Sequence, residues 1–548
     1  MATETASIPF RETAEHGEVF TRRWVVELIL DLVGYTADKD LVSLRAVEPA
    51  CGSGAFLVPM IERLVVSARN YDCDLAGAHA ALSAIDLIPE NASQSRQAAR
   101  ATLGAAGFRP EVTEDLARHW IRSGDFLLEP PQKQSADFVV GNPPYVRLEA
   151  VPRERSDAYR LACATMGGRA DVYVGFYEHG LKALKSGAAL GFICADRWMR
   201  NAYGARLRAM VGDQWAVETL ISMTGVDAFE DEVDAYPAVT VIRREEQTRG
   251  PLVVEGSAEL SEAESGELVR LAADDRIKRL DGRGFRGARL RGWFSGQAGW
   301  PHGSPDRLAV IADLEARYPS LEDTATGTKV GIGVATGADK VFITEDAELV
   351  EPERLLPLAL PRDIASGEVR WSGKYLVNPW NADGLIEMED WPRFADYLRL
   401  HQELLAKRHT AKGGRWHKTI DRVIEGLVDR EKLYLPDFKE SIFPVLDTGE
   451  TYPHHNLYWV TSDQWDLKVL GGLILSDVAN LFIEAYSVRM RGGFLRFQAQ
   501  YLRRIRVPSM DSIDSGTAEA MADAFLRRDR EAATRLALPL YGLDGIPS

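Results

Sequence analysis

The sequence predicts an α/β protein: a Rossmann-like amino-terminal domain followed by an α+β domain. Three observations carry this. A strand, a glycine turn and a helix follow one another between Leu44 and Leu64. Short apolar runs then alternate with helical patterns as far as Ile242, the layout of a largely parallel sheet covered by helices. Gly52, Asp86, Asp125 and Asn142 stand at the ends of four consecutive predicted strands, where open α/β sheets place their ligands.

The elements follow in order. Val25 to Val33 has the apolar spacing of an amphipathic helix, and Thr21 is expected to cap its start. Leu44 to Val47 reads as a strand running into Glu48-Pro49-Ala50-Cys51-Gly52-Ser53-Gly54. Glycines there let the backbone approach a ligand, and the helix that follows presents free N–H groups. The third glycine of the dinucleotide fingerprint is missing, so G-x-G alone is a weak signal. A second strand ends at Asp86, where an acid can bond ribose hydroxyls. A third segment ends in Asp125-Phe126, an acid and a ring that suit a purine's amino group and face.

The fourth strand, Ala136 to Val140, runs into Gly141-Asn142-Pro143-Pro144-Tyr145. Two prolines make the turn rigid. The Asn142 amide oxygen and the Pro143 carbonyl can accept both hydrogens of an exocyclic amino group, and Tyr145 can stack on the ring bearing it. A helix from Asp171 to about Lys185 follows, then strands at Ala189–Cys194, Val217–Ser222 and Ala238–Ile242, with an acidic loop from Asp227 to Asp234. The polar, glycine-rich stretch 246–320 reads as a connecting region after a first domain of residues 1–245. A second domain spans 321–510, and 511–548 is a helical tail.

Hydrophobic content of 45% and charged content of 27% are those of a soluble globular protein. No apolar run approaches a membrane span, and the polar start lacks a signal-peptide core, so a cytoplasmic protein with no membrane partner is expected. The four cysteines are scattered without a C-x-x-C pair, which points to neither a zinc site nor a disulfide framework; no metal is expected. A net charge of −16 argues against nucleic acid, but local potential governs such binding. Three basic stretches offer candidate phosphate contacts: Arg283, Arg286 and Arg289; Arg415 and Lys418; Arg491 and Arg496.

These residues resemble the gamma-type DNA adenine methyltransferases of restriction–modification systems. The likeness covers about residues 17 to 242, and extends more loosely over G-x-G-x-A-T-G at Gly331–Gly337 and R-G-G-F-L-R-F at Arg491–Phe497. It implies a class I methyltransferase domain with a mixed seven-stranded sheet, then a target-recognition domain. It implies S-adenosyl-L-methionine as donor and the N6 of an adenine flipped out of double-stranded DNA as acceptor. Thr21, Glu48 and Ala50 match residues holding the methionine part of the cofactor; Gly52 and Gly54 its turn; Asp86 its ribose; Asp125 and Phe126 its adenine. Asn142, Pro143 and Tyr145 match the catalytic turn, and Phe229 a second ring against the base. A monomer working beside a separately encoded restriction endonuclease is the arrangement implied. The chain departs from the family at Arg22, where proline is usual, and at Ile88, where a second acid is common.

Other readings share these residues. The same turn serves methylases of glutamine amides, and related turns serve RNA bases or cytosine, so the turn alone does not name the acceptor. Pro436-Asp437 with Asp466-Leu467-Lys468 mimics a nuclease metal motif. A non-catalytic recognition subunit would have no use for a ligand-type residue at every strand end.

Overall fold

The computed structural model describes residues 20–230, 236–411, 415–487 and 495–547. The chain forms two compact units, Met1–Asp313 and Leu314–Ser548.

The first unit is built on one sheet. Its strands are β1 (Ala46–Glu48), β2 (Leu82–Asp86), β3 (Ile121–Ser123), β4 (Ala136–Gly141), β5 (Leu184–Ala195), β6 (Ala216–Ser222), β7 (Pro237–Arg243), β8 (Leu252–Gly256), β9 (Arg279–Gly282) and β10 (Phe285–Arg289). They lie in the order β3-β2-β1-β4-β5-β7-β6-β8-β10-β9. From β3 to β5 all neighbours are parallel, and β7 runs antiparallel to both β5 and β6. The central strands are nearly continuous apolar runs because both faces are covered.

In β5, Leu190 and Gly191 point to opposite faces, as strand geometry requires. A helix approaches closely on each side. On one face α1 (Arg23–Val33) lies so near that a Cβ on Gly191 would stand 2.5 Å from the Val33 side chain. On the other, a Cβ on Gly180 of α6 (Tyr173–Ala183) would stand 2.9 Å from Leu190. Here α2 is Leu57–Asn70, α3 Pro89–Ala105, α4 Pro110–Trp120 and α5 Arg153–Ala162.

Two expectations are corrected. The sheet has ten strands rather than seven, because residues 252–289 add β8, β9 and β10 to the far edge instead of forming a connecting region. Those strands alternate buried and charged residues, as in Phe285-Arg286-Gly287, and composition alone hides a period of two. Second, Thr21 does not cap α1. Arg22 holds the cap position, and the hydroxyl of Thr21 serves the site described below.

The second unit is α+β. One four-stranded sheet runs Lys329–Ile332, Leu457–Thr461, Lys432–Pro436, Val445–Asp447; another runs Ile343–Thr344, Tyr375–Val377, Leu355–Ala359, Tyr452–Pro453. Helix Leu467–Leu475 packs on helix Ser515–Leu526 of the predicted tail. A Cβ on Gly471 would sit 2.7 Å from Phe525, so glycine sets the spacing. Asp466, half of the nuclease-like motif, caps that first helix by accepting from Lys468 N at 2.7 Å. Asp437, the other acid, accepts from Tyr458 Oη at 3.3 Å and faces Arg496. Among the described residues no single helix is long and apolar enough to cross a membrane.

Candidate active site

The site lies at the carboxyl ends of β1, β2 and β4. After β1 the chain turns through Gly52 and Gly54, whose φ values of +50° and +105° disfavour any side chain. The turn is fastened to its neighbours. Gly52 N donates to Asp86 Oδ2 at 2.8 Å, and Ser95 of α3 donates to the Gly52 carbonyl at 2.8 Å. Asp86 also accepts from Ile88 N at 2.9 Å and from Asn91 Nδ2 at 3.3 Å. The departure at Ile88 thus still serves the acid through its backbone. Ser95 and Asn91 are absent from the sequence reading, since nothing distinguishes them from other polar residues on a helix.

Glu48 ends β1 with 2% exposure, and its Oε2 makes no hydrogen bond. Burial, reinforced by the Asp86 carboxylate, holds its carboxyl well above the usual range. Ala50 follows, half-buried, at the start of the turn.

Past β3, Asp125 accepts from Leu127 N at 3.0 Å and from Tyr159 Oη at 2.8 Å, with Arg155 Nε 3.9 Å away. Tyr159 and Arg155 come from α5, beyond reach of any local pattern. Phe126 is 2% exposed and stacks on Phe176 at 5.2 Å, so its ring is built into the wall rather than standing out from it.

The turn after β4 sits against the end of β1, its parallel neighbour. A Cβ on Gly141 would lie 3.4 Å from Pro49 and 3.8 Å from Glu48 Cγ. Asn142 Nδ2 donates to Thr21 Oγ1 at 3.1 Å across 121 residues. Thr21 is placed in turn by a short antiparallel ladder with the loop after β6. Arg22 N donates to the Ala228 carbonyl at 3.0 Å, Glu230 N donates to that of Phe20 at 2.9 Å, and Thr21 pairs with Phe229. Thr21, Asn142 and Phe229 are therefore tied together. Downstream, Leu148 N bonds the Ala170 carbonyl at 3.0 Å and Val172 N that of Val146 at 2.8 Å, bracing the far side of the turn.

Pro143 is buried. Tyr145 is half-buried, and its hydroxyl reaches inward to a site where it has no hydrogen-bond partner. Burial, with Cys194 nearby, pushes that phenol well above its ordinary value. Phe229 is 7% exposed and belongs to the hydrophobic core, so in this conformation it is not an open stacking face.

The basic residues divide. Arg289 is not a surface cation: its side chain is 9% exposed, and its guanidinium bonds the Ala272 carbonyl at 3.0 Å and faces Asp275. Arg286 is half-exposed and pairs with Glu255 across the strands at 2.7 Å. Arg283 and Arg415 are exposed, and Lys418 is half-buried. Arg496 faces Asp437 at 3.5 Å and lies over the Phe438 ring. Arg491 falls outside the described residues.

Residues 94–229 match the model of the Eco57I restriction-modification methylase family. The chain is 42% identical over 534 residues to the type II methyltransferase M.PaeR7I of Pseudomonas aeruginosa, covering 96% of this chain and 92% of that one. It is 41% identical to M.XhoI of Xanthomonas vasicola, covering 97% and 98%, and 37% identical to M.BstVI of Geobacillus stearothermophilus, covering 96% of each.

Proposed function

Because the chain belongs to the type II DNA methyltransferases of restriction–modification systems, we propose that it methylates the exocyclic N6 of an adenine flipped out of duplex DNA. The observation that carries this reading is the pairing of β4 with β1, which brings the Asn142 turn and Glu48 to adjacent strand ends. It sets an amino-group acceptor directly beside a buried, unbalanced carboxylate.

The cofactor proposed is S-adenosyl-L-methionine, which when bound supplies a methyl group on a sulfonium. The residues present fit it. Glu48 has an unpartnered buried oxygen suited to an ammonium group. The positive-φ turn at Gly52 leaves open space where a side chain would stand. In this reading Glu48, Ala50 and Thr21 hold the methionine part, Asp86 the ribose and Asp125 the adenine, and Phe126 supports that wall from behind.

The acceptor nitrogen is a poor nucleophile because its lone pair is shared with the purine ring. Asn142 Oδ1 and the Pro143 carbonyl accept its two N–H bonds and draw the lone pair out of conjugation. They also stabilise the positive charge that grows on nitrogen as the new bond forms. Thr21 orients the amide. Tyr145 and Phe229 flank the extruded base, whose removal from the stack costs a few kcal/mol. No nucleophile on the protein takes part: burial pushes the Cys51 thiol up, away from the reactive thiolate. The exposed Arg283 and Arg415 are proposed to meet DNA phosphates, and a separately encoded endonuclease is the proposed partner in the cell.

The test is base-resolved sequencing of DNA from a host expressing the chain. N6-methyladenine at one recurring sequence is expected with wild-type protein and not with Asn142→Ala. Methylation at cytosine N4 instead would refute the adenine assignment.

A further inference from the structure

In the second unit, Asp339, His454 and His455 converge. We propose that they bind one divalent transition-metal ion of the zinc type. Their ligand atoms, one from each, lie within 4.8 Å of one another. Tetrahedral zinc, about 2.0–2.2 Å from each donor, holds its ligands roughly 3.4 Å apart, so the set has to draw in by about 1 Å at most to close on the ion.

The signal is the state of the two imidazoles. His454 is 4% exposed, and neither of its ring nitrogens makes a hydrogen bond; Nε2 stands 3.5 Å from Asp339 Oδ2. Nδ1 of His455 is also buried with no bond. Buried polar atoms are nearly always partnered, so three orphaned imidazole nitrogens on adjacent residues need an account. One cation takes one nitrogen from each ring, so it partners one of the two on His454. Two imidazoles and one carboxylate favour zinc, cobalt or nickel over magnesium and calcium, which take oxygen.

The surroundings hold the three residues as supports hold a metal site. Thr336 Oγ1 donates to Asp339 Oδ1, which leaves Oδ2 towards His454. His454 N donates to the Ala359 carbonyl at 3.0 Å and His455 N to that of Val334 at 3.1 Å, so the backbone of the pair is fixed on two sides. A Cβ on Gly333 would lie 2.3 Å from the Pro453 and His454 carbonyls, so only glycine lets the loop come this close. The G-x-G-x-A-T-G stretch thereby acquires a purpose: it brings Asp339 to the histidines. Asp339 and His455 also line a cavity of about 460 Å³, towards which a remaining coordination position can open.

A second group, His79, Asp115 and His119, lies on the surface of the first unit. There His79 Nε2 already pairs with Asp115 Oδ2 at 2.6 Å, so it lacks orphaned atoms and serves as the internal control.

The proposal does not depend on the methylation reading, and its test needs no turnover. The full chain is stripped with a chelator, dialysed and titrated with zinc chloride. Elemental analysis after desalting should find one zinc per chain, and the melting temperature should rise by about 5 °C at saturating metal. Cobalt(II) should give the visible absorption of a tetrahedral N/O site. His455→Ala and Asp339→Asn should each weaken binding roughly tenfold or more. Their metal-free melting should stay close to wild type, which guards against a misfolded His454→Ala. A double variant, His79→Ala with His119→Ala, should bind as wild type does. Absence of retained zinc together with an unchanged melting temperature would overturn the proposal, as would binding that disappears only in the double variant.

Discussion

Glu48→Gln should make the protein more stable and the enzyme useless. In the wild type the carboxylate is 2% exposed, one oxygen has no hydrogen bond, and the Asp86 carboxylate lies beside it. An uncompensated buried polar group costs about 1–3 kcal/mol. Glutamine keeps the shape and removes the charge. For a unit of this size each kcal/mol shifts melting by roughly 2–4 °C, so the cofactor-free variant should melt higher by about that much for every kcal/mol that loss of the charge relieves. The pH dependence follows from the direction of the shift. The carboxyl's folded pKa lies above its unfolded value, so the wild type carries no penalty below the ordinary value of 4.5 and a growing one as pH rises towards the raised value. The advantage of Glu48→Gln should be largest at neutral pH and fade as pH falls to about 4.5. Cofactor affinity moves the other way. Losing one partner of a buried ion pair costs about 2–5 kcal/mol, at least thirtyfold in Kd. Differential scanning calorimetry from pH 4.5 to 8 and titration calorimetry with S-adenosylmethionine measure both. A variant with wild-type melting at pH 7.5 and wild-type affinity would show that Glu48 faces no ligand ammonium and carries no strain.

The remaining predictions concern the acceptor side and DNA. Asn142→Ala should abolish transfer while cofactor affinity in calorimetry stays within about threefold, because the cofactor is read from other strand ends. Thr21→Val removes the acceptor of the Asn142 amide at 3.1 Å; single-turnover rate should fall roughly tenfold or more, with Asn142→Ala adding no further effect on top of the loss it causes alone. Tyr145→Phe should be nearly neutral in stability because its hydroxyl has no partner, whereas Tyr145→Ala should dull the fluorescence rise of an adenine analogue at the target; Phe229→Leu is the variant to compare, since Phe229→Ala in the core costs about 3–5 kcal/mol. Neutralising exposed Arg283 should flatten the dependence of log affinity on log salt by about one unit, whereas Arg289→Gln should lower melting and leave that slope alone.

Much of this was legible in the chain because a covered parallel sheet writes itself plainly. Its strands are short apolar runs, and their ends carry the polar residues, so the strand-end places of Glu48, Asp86 and Asn142 can be read from the sequence. The far edge was not legible. Arg279–Gly282 and Phe285–Arg289 have one exposed face each, and their arginines resemble a solvated or DNA-facing stretch when counted by charge. Arg289 shows why the count misleads: a guanidinium can spend its donors on backbone carbonyls. For Thr21 the sequence suggests a helix cap, and the family resemblance a cofactor contact; the cap falls to Arg22. The actual partner of Thr21 lies 121 residues away, and no local pattern encodes a hydrogen bond of that span. Phe229 and Phe126 were expected as open faces, because sequence gives a ring's position in the chain and not its neighbours.

These misplacements share a consequence for how the site works. Donor-side and acceptor-side residues are not separate sets laid side by side. A Cβ on Gly141 would meet Pro49 at 3.4 Å, Asn142 is held by Thr21, and Thr21 is laced to Phe229 through the ladder between residues 20–22 and 228–230. In-line methyl transfer demands alignment of donor and acceptor, and a displacement of about 1 Å can cost roughly a hundredfold in rate. A turn whose amide is tied by hydrogen bonds to Thr21, and through Thr21 to residues 228–230, meets that demand with few degrees of freedom. The same ties explain why Phe229 can be buried and still matter. Phe229 is buried and its backbone pairs with Thr21, which in turn meets the Asn142 amide, so a change at Phe229 can reach that amide through the ladder.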